Sequence, residues 1–283
     1  MTQAQTQSPR IALIGGGQMA RALIGGWLAR GGAANSIAVA DPSTEQRDWL
    51  ARTFPGLVLE AENARAAEFA EVWLLAVKPQ LLGAVVRALA PVAAQRRPLV
   101  ISIAAGIRAA DIARWAGPAA TVVRAMPNRP ALIGAGVSAL YAPAGTASAM
   151  RATAERLLEA VGNVVWVESE ADLDAVTAVS GSGPAYFFLL IEALEAAAIA
   201  EGLPPAVARR LALDTAAGAA QLAVSSSDDP ATLRAQVTSK GGTTAAALAV
   251  FEAADLRAIV ARAVAAAARR SEQLAEEFGR DPG

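Results

Sequence analysis

Near the start of the chain, Ile11-Ala12-Leu13-Ile14 runs into Gly15-Gly16-Gly17-Gln18-Met19-Ala20. The spacing Gly15-x-Gly17-x-x-Ala20 allows a tight turn and leaves backbone N–H groups unshielded at the start of a helix, where a pyrophosphate can approach them. Asp41 closes the next apolar run, the position from which a carboxylate accepts hydrogen bonds from ribose hydroxyls. A glycine turn alone is weak evidence, since any strand can enter a helix this way. Its place after the first strand, with Asp41 after the second, points to a bound dinucleotide. Asp41 on the general rule favours NADH. Ser43, Thr44 and Arg47 follow closely and are equipped to hold the 2'-phosphate of NADPH, so both dinucleotides stay open.

The chain has no histidine and no cysteine. That removes the commonest general base, the commonest metal ligands and the thiol nucleophiles, so no metal site is expected and the hard chemistry must come with a cofactor. Lysine occurs only at positions 78 and 240 among 25 basic residues. Biased composition explains that as readily as function does. Lys78, in Ala76-Val77-Lys78-Pro79-Gln80, nevertheless follows the fourth strand, on the carboxyl edge where open α/β sheets bind ligands. Its ammonium suits a phosphate, carboxamide or carboxylate there, and Pro79 breaks the strand and would turn the backbone over the cofactor.

Two further segments belong on that rim. Ser102-Ile103-Ala104-Ala105-Gly106 closes the fifth strand with small residues, and Met126-Pro127-Asn128 follows the sixth. Asn128 carries donors and an acceptor suited to a carboxamide, although an asparagine after proline is also an ordinary turn former. Farther on, Ser180-Gly181-Ser182-Gly183-Pro184-Ala185-Tyr186 and Val237-Thr238-Ser239-Lys240-Gly241-Gly242-Thr243-Thr244 each read as a loop opening a helix. Their hydroxyls and bare amides can receive a carboxylate, beyond the routine capping that Ser and Thr provide.

The elements that must position these residues fall into two halves. Over residues 10–168, short β-branched or apolar runs alternate with amphipathic stretches, the pattern of a parallel sheet flanked by helices. Strands are expected at 11–14, 37–40, 57–59, 72–76, 99–103, 122–124, 137–141 and 164–167, giving a Rossmann-type α/β domain. Residues 169–283 read as an all-α domain of alanine-rich helices, broken at Gly181 to Pro184, at Gly202 to Pro205, at Asp228 to Pro230 and at Gly241-Gly242. Within it Tyr186, Leu189, Leu190, Ala193, Leu194 and Ala197 share one helix face, with Glu192 and Glu195 opposite. Residues 1–9 are polar and read as a disordered tail without an apolar signal core.

Composition limits the partners. A hydrophobic content of 54% in 283 residues can fill two cores, or one core plus a large subunit interface. The formal net charge of −1 offers no field for nucleic acid or an anionic membrane surface. The longest uncharged run, 131–150, is too rich in glycine, proline and hydroxyl residues for a membrane span. A soluble cytoplasmic protein is the expectation.

After Pro9 the chain resembles the pyrroline-5-carboxylate reductases over essentially its whole length. The resemblance rests on the glycine turn, on Ala76-Val77-Lys78-Pro79-Gln80, on Met126-Pro127-Asn128, on Ser180-Gly181-Ser182-Gly183-Pro184-Ala185-Tyr186, and above all on the signature across 230–252. There Leu233, Val237, Thr238, Ser239, Gly241, Gly242, Thr244, Ala247, Leu248, Phe251 and Glu252 match the family pattern. The resemblance implies reduction of L-1-pyrroline-5-carboxylate to L-proline by NADPH or NADH, the last step of proline biosynthesis. It also implies a homodimer interlocked through the helical domain, with dimers commonly assembling to decamers. Gly15, Gly17, Gln18 and Met19 would carry the pyrophosphate turn, with Ala76, Lys78, Ala104 and Asn128 around the ribose and nicotinamide; Asp41 and Pro79 join the cofactor site on the reading of the residues alone. Ser239, Gly241, Gly242, Thr243 and Thr244 would face the cyclic imino acid, Thr244 touching the ring nitrogen as the catalytic hydroxyl. The segment around Asp41 varies within the family, so coenzyme choice does not transfer.

The reaction suits the residue inventory. A protonated cyclic imine is already electrophilic, so hydride attack on its carbon needs no proton donor, only fixed distance and anchoring. Two rivals stand beside this reading. A β-hydroxyacid dehydrogenase would place its lysine on a helix of the second domain, which neither Lys78 nor Lys240 satisfies. A non-catalytic, dinucleotide-sensing interaction protein would leave the hydroxyl-glycine cluster without a purpose.

Overall fold

A computed structural model describes residues 9–279, so the expected tail, apart from Pro9, lies outside the described residues. The chain forms two compact units, one running through Ser182 and resuming at Ala267, the other Gly183–Ala266. The division expected at 168/169 therefore falls inside the first unit, and the end of the chain returns to that unit rather than staying with the helical half.

The first unit is built on an eight-stranded sheet of order β3-β2-β1-β4-β5-β6-β7-β8. Its strands are β1 (Ile11–Ile14), β2 (Ile37–Ala40), β3 (Val58–Glu60), β4 (Val72–Leu75), β5 (Leu99–Ser102), β6 (Thr121–Met126), β7 (Gly136–Tyr141) and β8 (Gly162–Trp166). All eight expected strands are present, with ends displaced by at most two residues. Helices α1 (Gln18–Ala29), α2 (Thr44–Thr53), α3 (Asn63–Phe69), α4 (Pro79–Arg96) and α5 (Ala109–Ala116) connect the first six strands, which all run parallel.

Parallel order stops at β6, against the all-parallel expectation. β7 pairs antiparallel to β6, and β8 then pairs parallel to β7 after α6 (Ser148–Glu159). The cause is length: a parallel crossover needs a dozen or more residues, and only the segment 127–135, holding the short 3-10 turn Arg129–Ile133, separates the two strands. Alternating hydrophobicity carries no strand direction, so the pattern could not disclose this.

Side-chain alternation sends one set of residues to each face of the sheet. Ile11, Leu13, Ile37, Val39, Leu74 and Ile101 pack with Leu23 and Ile24 of α1 and Leu157 and Leu158 of α6. On the other face Ala12, Ile14, Ala38, Trp73 and Leu75 pack with Leu82, Val86 and Leu89 of α4 and Ile112 of α5. Where small residues leave room, Trp73 fills it, and its indole N–H donates to the carbonyls of Ala67 and Ala70 at 3.0 and 3.1 Å. Gly26 lets α1 approach the end of α6 closely, because a Cβ there would strike the carbonyl oxygen of Ala160.

Beyond β8, α7 (Asp172–Val176) passes through a π turn, Thr177–Gly181, into α8 (Gly183–Ala200). The loop expected at 180–186 is thus part of a nearly continuous helix. The N–H of Ser182 donates to the carbonyl of Thr177 five residues back at 2.8 Å, so the glycines and Pro184 widen the helix rather than end it. A buried polar cluster anchors this stretch within the first unit. Asp174 is only 4% exposed, accepts from Arg108 at 2.7 Å, and also accepts from the hydroxyl of Ser271 at 2.7 Å. Ser271 belongs to α12 (Leu256–Gly279), which is how the chain's last part comes back.

The second unit contains α8, α9 (Pro205–Ser225), α10 (Pro230–Gln236), α11 (Thr243–Ala253) and the first part of α12. Helices α8 and α9 pack on one another. The single apolar face expected on α8 is too narrow a description: Phe187, Phe188, Leu189 and Leu190 are all exposed in the isolated chain. By length and composition the helix from Asp172 to Ala200 could cross a bilayer. An apolar surface that wide on one helix must be covered by something.

Candidate functional site

Three strand ends build the first half of the site. The N–H of Gly15 donates to the carbonyl of Ala40 at 2.8 Å, and the N–H of Ala76 donates to that of Ile14 at 2.8 Å, drawing the carboxyl ends of β1, β2 and β4 together. Gly15 has φ +102°, and a Cβ there would lie 2.8 Å from the carbonyl oxygen of Ala76, so glycine is required twice over. Next in line, the N–H of Gly16 donates to Asp41 Oδ2 at 2.9 Å. Gly17 begins α1 with no side-chain cap, and the space where its Cβ would be is open. The amides of Gln18 and Met19 stand in the first turn beyond it. An uncapped helix start facing open space is a cradle for a phosphate group.

Lys78 lies at the start of α4, with Pro79 as the first helical residue. The lysine is exposed and makes no ion pair with a described residue. A cation at a helix N-terminus is on the wrong end of the dipole, an arrangement that an incoming anion relieves. Ala104 is buried at the end of β5, its N–H 3.4 Å from the buried Ser102 hydroxyl. Behind this edge, Glu170 accepts from the N–H of Ala109 at 2.6 Å and from Arg124 at 2.9 Å. Burial pushes the Arg124 guanidinium down from its ordinary value, and the hydrogen bond to Glu170 pulls it back up.

Asn128, expected on the cofactor, has its side-chain amide engaged at both ends. Oδ1 accepts from the N–H of Val137 at 3.0 Å, and Nδ2 donates to the carbonyl of Ser180 at 3.3 Å. Pro184 has no N–H to offer that carbonyl, so the asparagine serves an acceptor that helix geometry leaves short. Sequence reasoning missed this link. Its one trace is the proline four residues after Ser180.

The second half of the expected site lies in the other compact unit. Thr238 donates through its hydroxyl to the carbonyl of Arg234 at 2.6 Å, ending α10, and the N–H of Gly242 closes a turn on the carbonyl of Ser239 at 3.1 Å. Gly242 then begins α11 without a side-chain cap, with Thr243 and Thr244 in its first turn. Ser239 and Thr243 are exposed and Thr244 is half-buried. These residues assemble around an uncapped helix start, as expected. By contrast, α2 and α10 begin with side-chain caps, Ser43 accepting from Gln46 and Asp229 from Thr232. Among the described residues no cluster of His, Cys, Asp and Glu is placed to hold a metal.

Two family descriptions match the chain. Residues 10–106 match "NADP oxidoreductase coenzyme F420-dependent", and residues 170–274 match "Pyrroline-5-carboxylate reductase dimerisation". A pyrroline-5-carboxylate reductase of Pseudomonas aeruginosa is 50% identical over 272 residues, covering 96% of this chain and 99% of that protein. Among solved structures, a pyrroline-5-carboxylate reductase from Coxiella burnetii superposes with a TM-score of 0.90 at 38% identity, over 94% of this chain and 98% of that one. The Plasmodium falciparum pyrroline carboxylate reductase, solved with NADP bound, gives 0.83 at 27% identity over 95% and 99%.

Proposed function

Because the chain belongs to the pyrroline-5-carboxylate reductase family, we propose that two helix starts led by glycine, α1 at Gly17 and α11 at Gly242, hold the two reactants of that family's chemistry. The protein is an oxidoreductase of proline biosynthesis that reduces L-1-pyrroline-5-carboxylate to L-proline with NAD(P)H. Their glycine N-caps carry the assignment of residues. Other helices also start without a side-chain cap, but from larger N-cap residues such as Lys78, Arg108 and Pro204, whereas Gly17 and Gly242 put no side chain of their own beside the first-turn amides.

The residues fit a dinucleotide: the open space at Gly17 and the free amides after it suit a pyrophosphate, with Gly15, Gln18 and Met19 shaping the turn. Ala76, Lys78, Pro79 and Ala104 line the rim for ribose and nicotinamide. Asn128, with both ends of its amide engaged, acts there as a positioning residue. When bound, the reduced nicotinamide supplies the hydride. In the second unit, the amides at the start of α11, with Ser239, Gly241, Gly242 and Thr243, hold the substrate carboxylate. The Thr244 hydroxyl orients the ring nitrogen, which carries its proton throughout. A protonated imine loses its charge as its carbon accepts hydride, so the chain needs no acid-base side chain at this step, and its lack of histidine and cysteine is no handicap.

The helical unit is a dimerisation unit by family, which accounts for the apolar surface of α8. We extend this to a homodimer that can assemble further to a decamer, in the cytoplasm, with no nucleic-acid or membrane partner. The near-zero net charge and the exposed apolar surface of α8, which a second copy would cover, support that reading. The direct test follows the near-ultraviolet absorbance of reduced nicotinamide as purified protein meets the five-membered cyclic imino acid. Consumption of coenzyme with formation of proline is expected. No consumption with either coenzyme overturns the assignment.

A further inference from the structure

The adenosine end of the dinucleotide cradle has a fixed carboxylate, and the cations near it are already engaged with the protein. Asp41 follows β2, and both of its carboxylate oxygens are tied to backbone. Oδ2 accepts from the N–H of Gly16 at 2.9 Å and Oδ1 from the N–H of Ser43 at 2.9 Å. Each oxygen keeps acceptor capacity for one more donor. The side chain is thus held as a pair of acceptors at the place where the second ribose of a dinucleotide meets this fold.

The nearby guanidinium groups already have protein partners. Arg47 donates to the backbone carbonyl of Asp41 at 2.6 Å and to the Thr44 hydroxyl at 3.1 Å. Arg21 bonds to Gln46 and to the carbonyl of Gly16, and its guanidinium lies over the ring of Trp49, 3.7 Å from the centroid. The Ser43 hydroxyl oxygen accepts from the N–H of Gln46 in capping α2. A ribose with free 2'- and 3'-hydroxyls brings donors to Asp41. A 2'-phosphate brings a dianionic group with acceptors only, and meets a carboxylate it can neither bond nor displace without releasing two backbone amides.

We propose that this enzyme selects NADH over NADPH, with Asp41 as the discriminating residue. The proposal rests on the reading of the glycine turn as the dinucleotide site, and goes beyond it in naming the coenzyme. Binding is measured on the intact protein by quenching of its tryptophan fluorescence with NADH and, separately, NADPH, alongside kcat/KM for each. NADH is expected to bind about 10-fold tighter or more, and to show the higher kcat/KM by a similar factor. Asp41→Asn keeps the size of the side chain and removes its charge, so it should narrow the ratio chiefly by improving NADPH. Arg47→Ala should leave NADPH affinity unchanged, since that guanidinium serves the backbone of Asp41.

Equal or tighter binding of NADPH by the natural protein overturns the proposal while leaving the dinucleotide site intact. So does an Asp41→Asn protein with an unaltered ratio, or a loss of NADPH affinity in Arg47→Ala. Failure of both dinucleotides to bind removes the site and the selectivity together.

Discussion

Asn128 Nδ2 donates to the carbonyl oxygen of Ser180 at 3.3 Å, across 52 positions of sequence, and thereby serves the acceptor that Pro184 cannot reach with an N–H. The same side chain accepts from Val137 at 3.0 Å, so one amide joins the end of β6, the start of β7 and the π turn. Replacing Asn128 with Leu leaves both partners unpaired. Unfolding in urea should show a loss of about 1–3 kcal/mol for each orphaned group, and an unmoved midpoint would show that the link carries no stability.

Thr244 supplies a different kind of test. Thr244→Ala is expected to lower kcat about 100- to 1,000-fold, the cost of one preorganised hydrogen bond. Dinucleotide affinity, read by fluorescence, should stay unchanged, and Thr244→Ser should restore most of the turnover. Natural turnover in the alanine variant would take Thr244 out of the mechanism.

Arg124 is 5% exposed and relies on Glu170 at 2.9 Å. Glu170→Leu strands a buried charge, and the first unit should lose about 3–5 kcal/mol in denaturant unfolding. Adding Arg124→Leu to that variant should recover a large part of the loss, because the uncompensated charge goes with it. If the double variant is as unstable as the single one, the two side chains are not coupled in this way.

The surface of α8 should be an interface between copies. Leu189 is 67% exposed in the isolated chain, amid Phe187, Phe188 and Leu190. Leu189→Glu puts a charge into that surface and should shift the protein to a smaller species in sedimentation, or to aggregate where the freed apolar area finds other partners. An unchanged dimer at low protein concentration would place the interface elsewhere.

The sheet was legible because its signal is local. Ile11–Ile14 and Ile37–Ala40 stand where their apolar runs end, and Asp41 and the glycine turn follow directly from them. The uncapped start of α11 was legible for the same reason, since Gly241 and Gly242 interrupt an otherwise helical composition. What stayed hidden depends on distant partners. Ser180 to Tyr186 has the glycine and proline content of a loop, yet tertiary contacts hold it helical, with Asn128 meeting one of its carbonyls. The direction of β7 is set by the shortness of the connection from β6, which alternation does not encode. The return of α12 turns on Ser271 meeting Asp174 across 97 positions, and its only local trace is a pair of small buried residues, Ser271 and Ala275, among charged neighbours.

That meeting of Ser271 with Asp174 has a consequence for how the chain can be cut. One hydrogen bond of 2.7 Å staples the stretch just before Gly183 to the stretch just after Ala266. The intervening helices are therefore a cassette whose two ends are fastened side by side. A short flexible bridge in their place should leave the sheet closed and its glycine turn formed, a coenzyme-gripping protein relieved of the apolar helices that oblige it to find a twin.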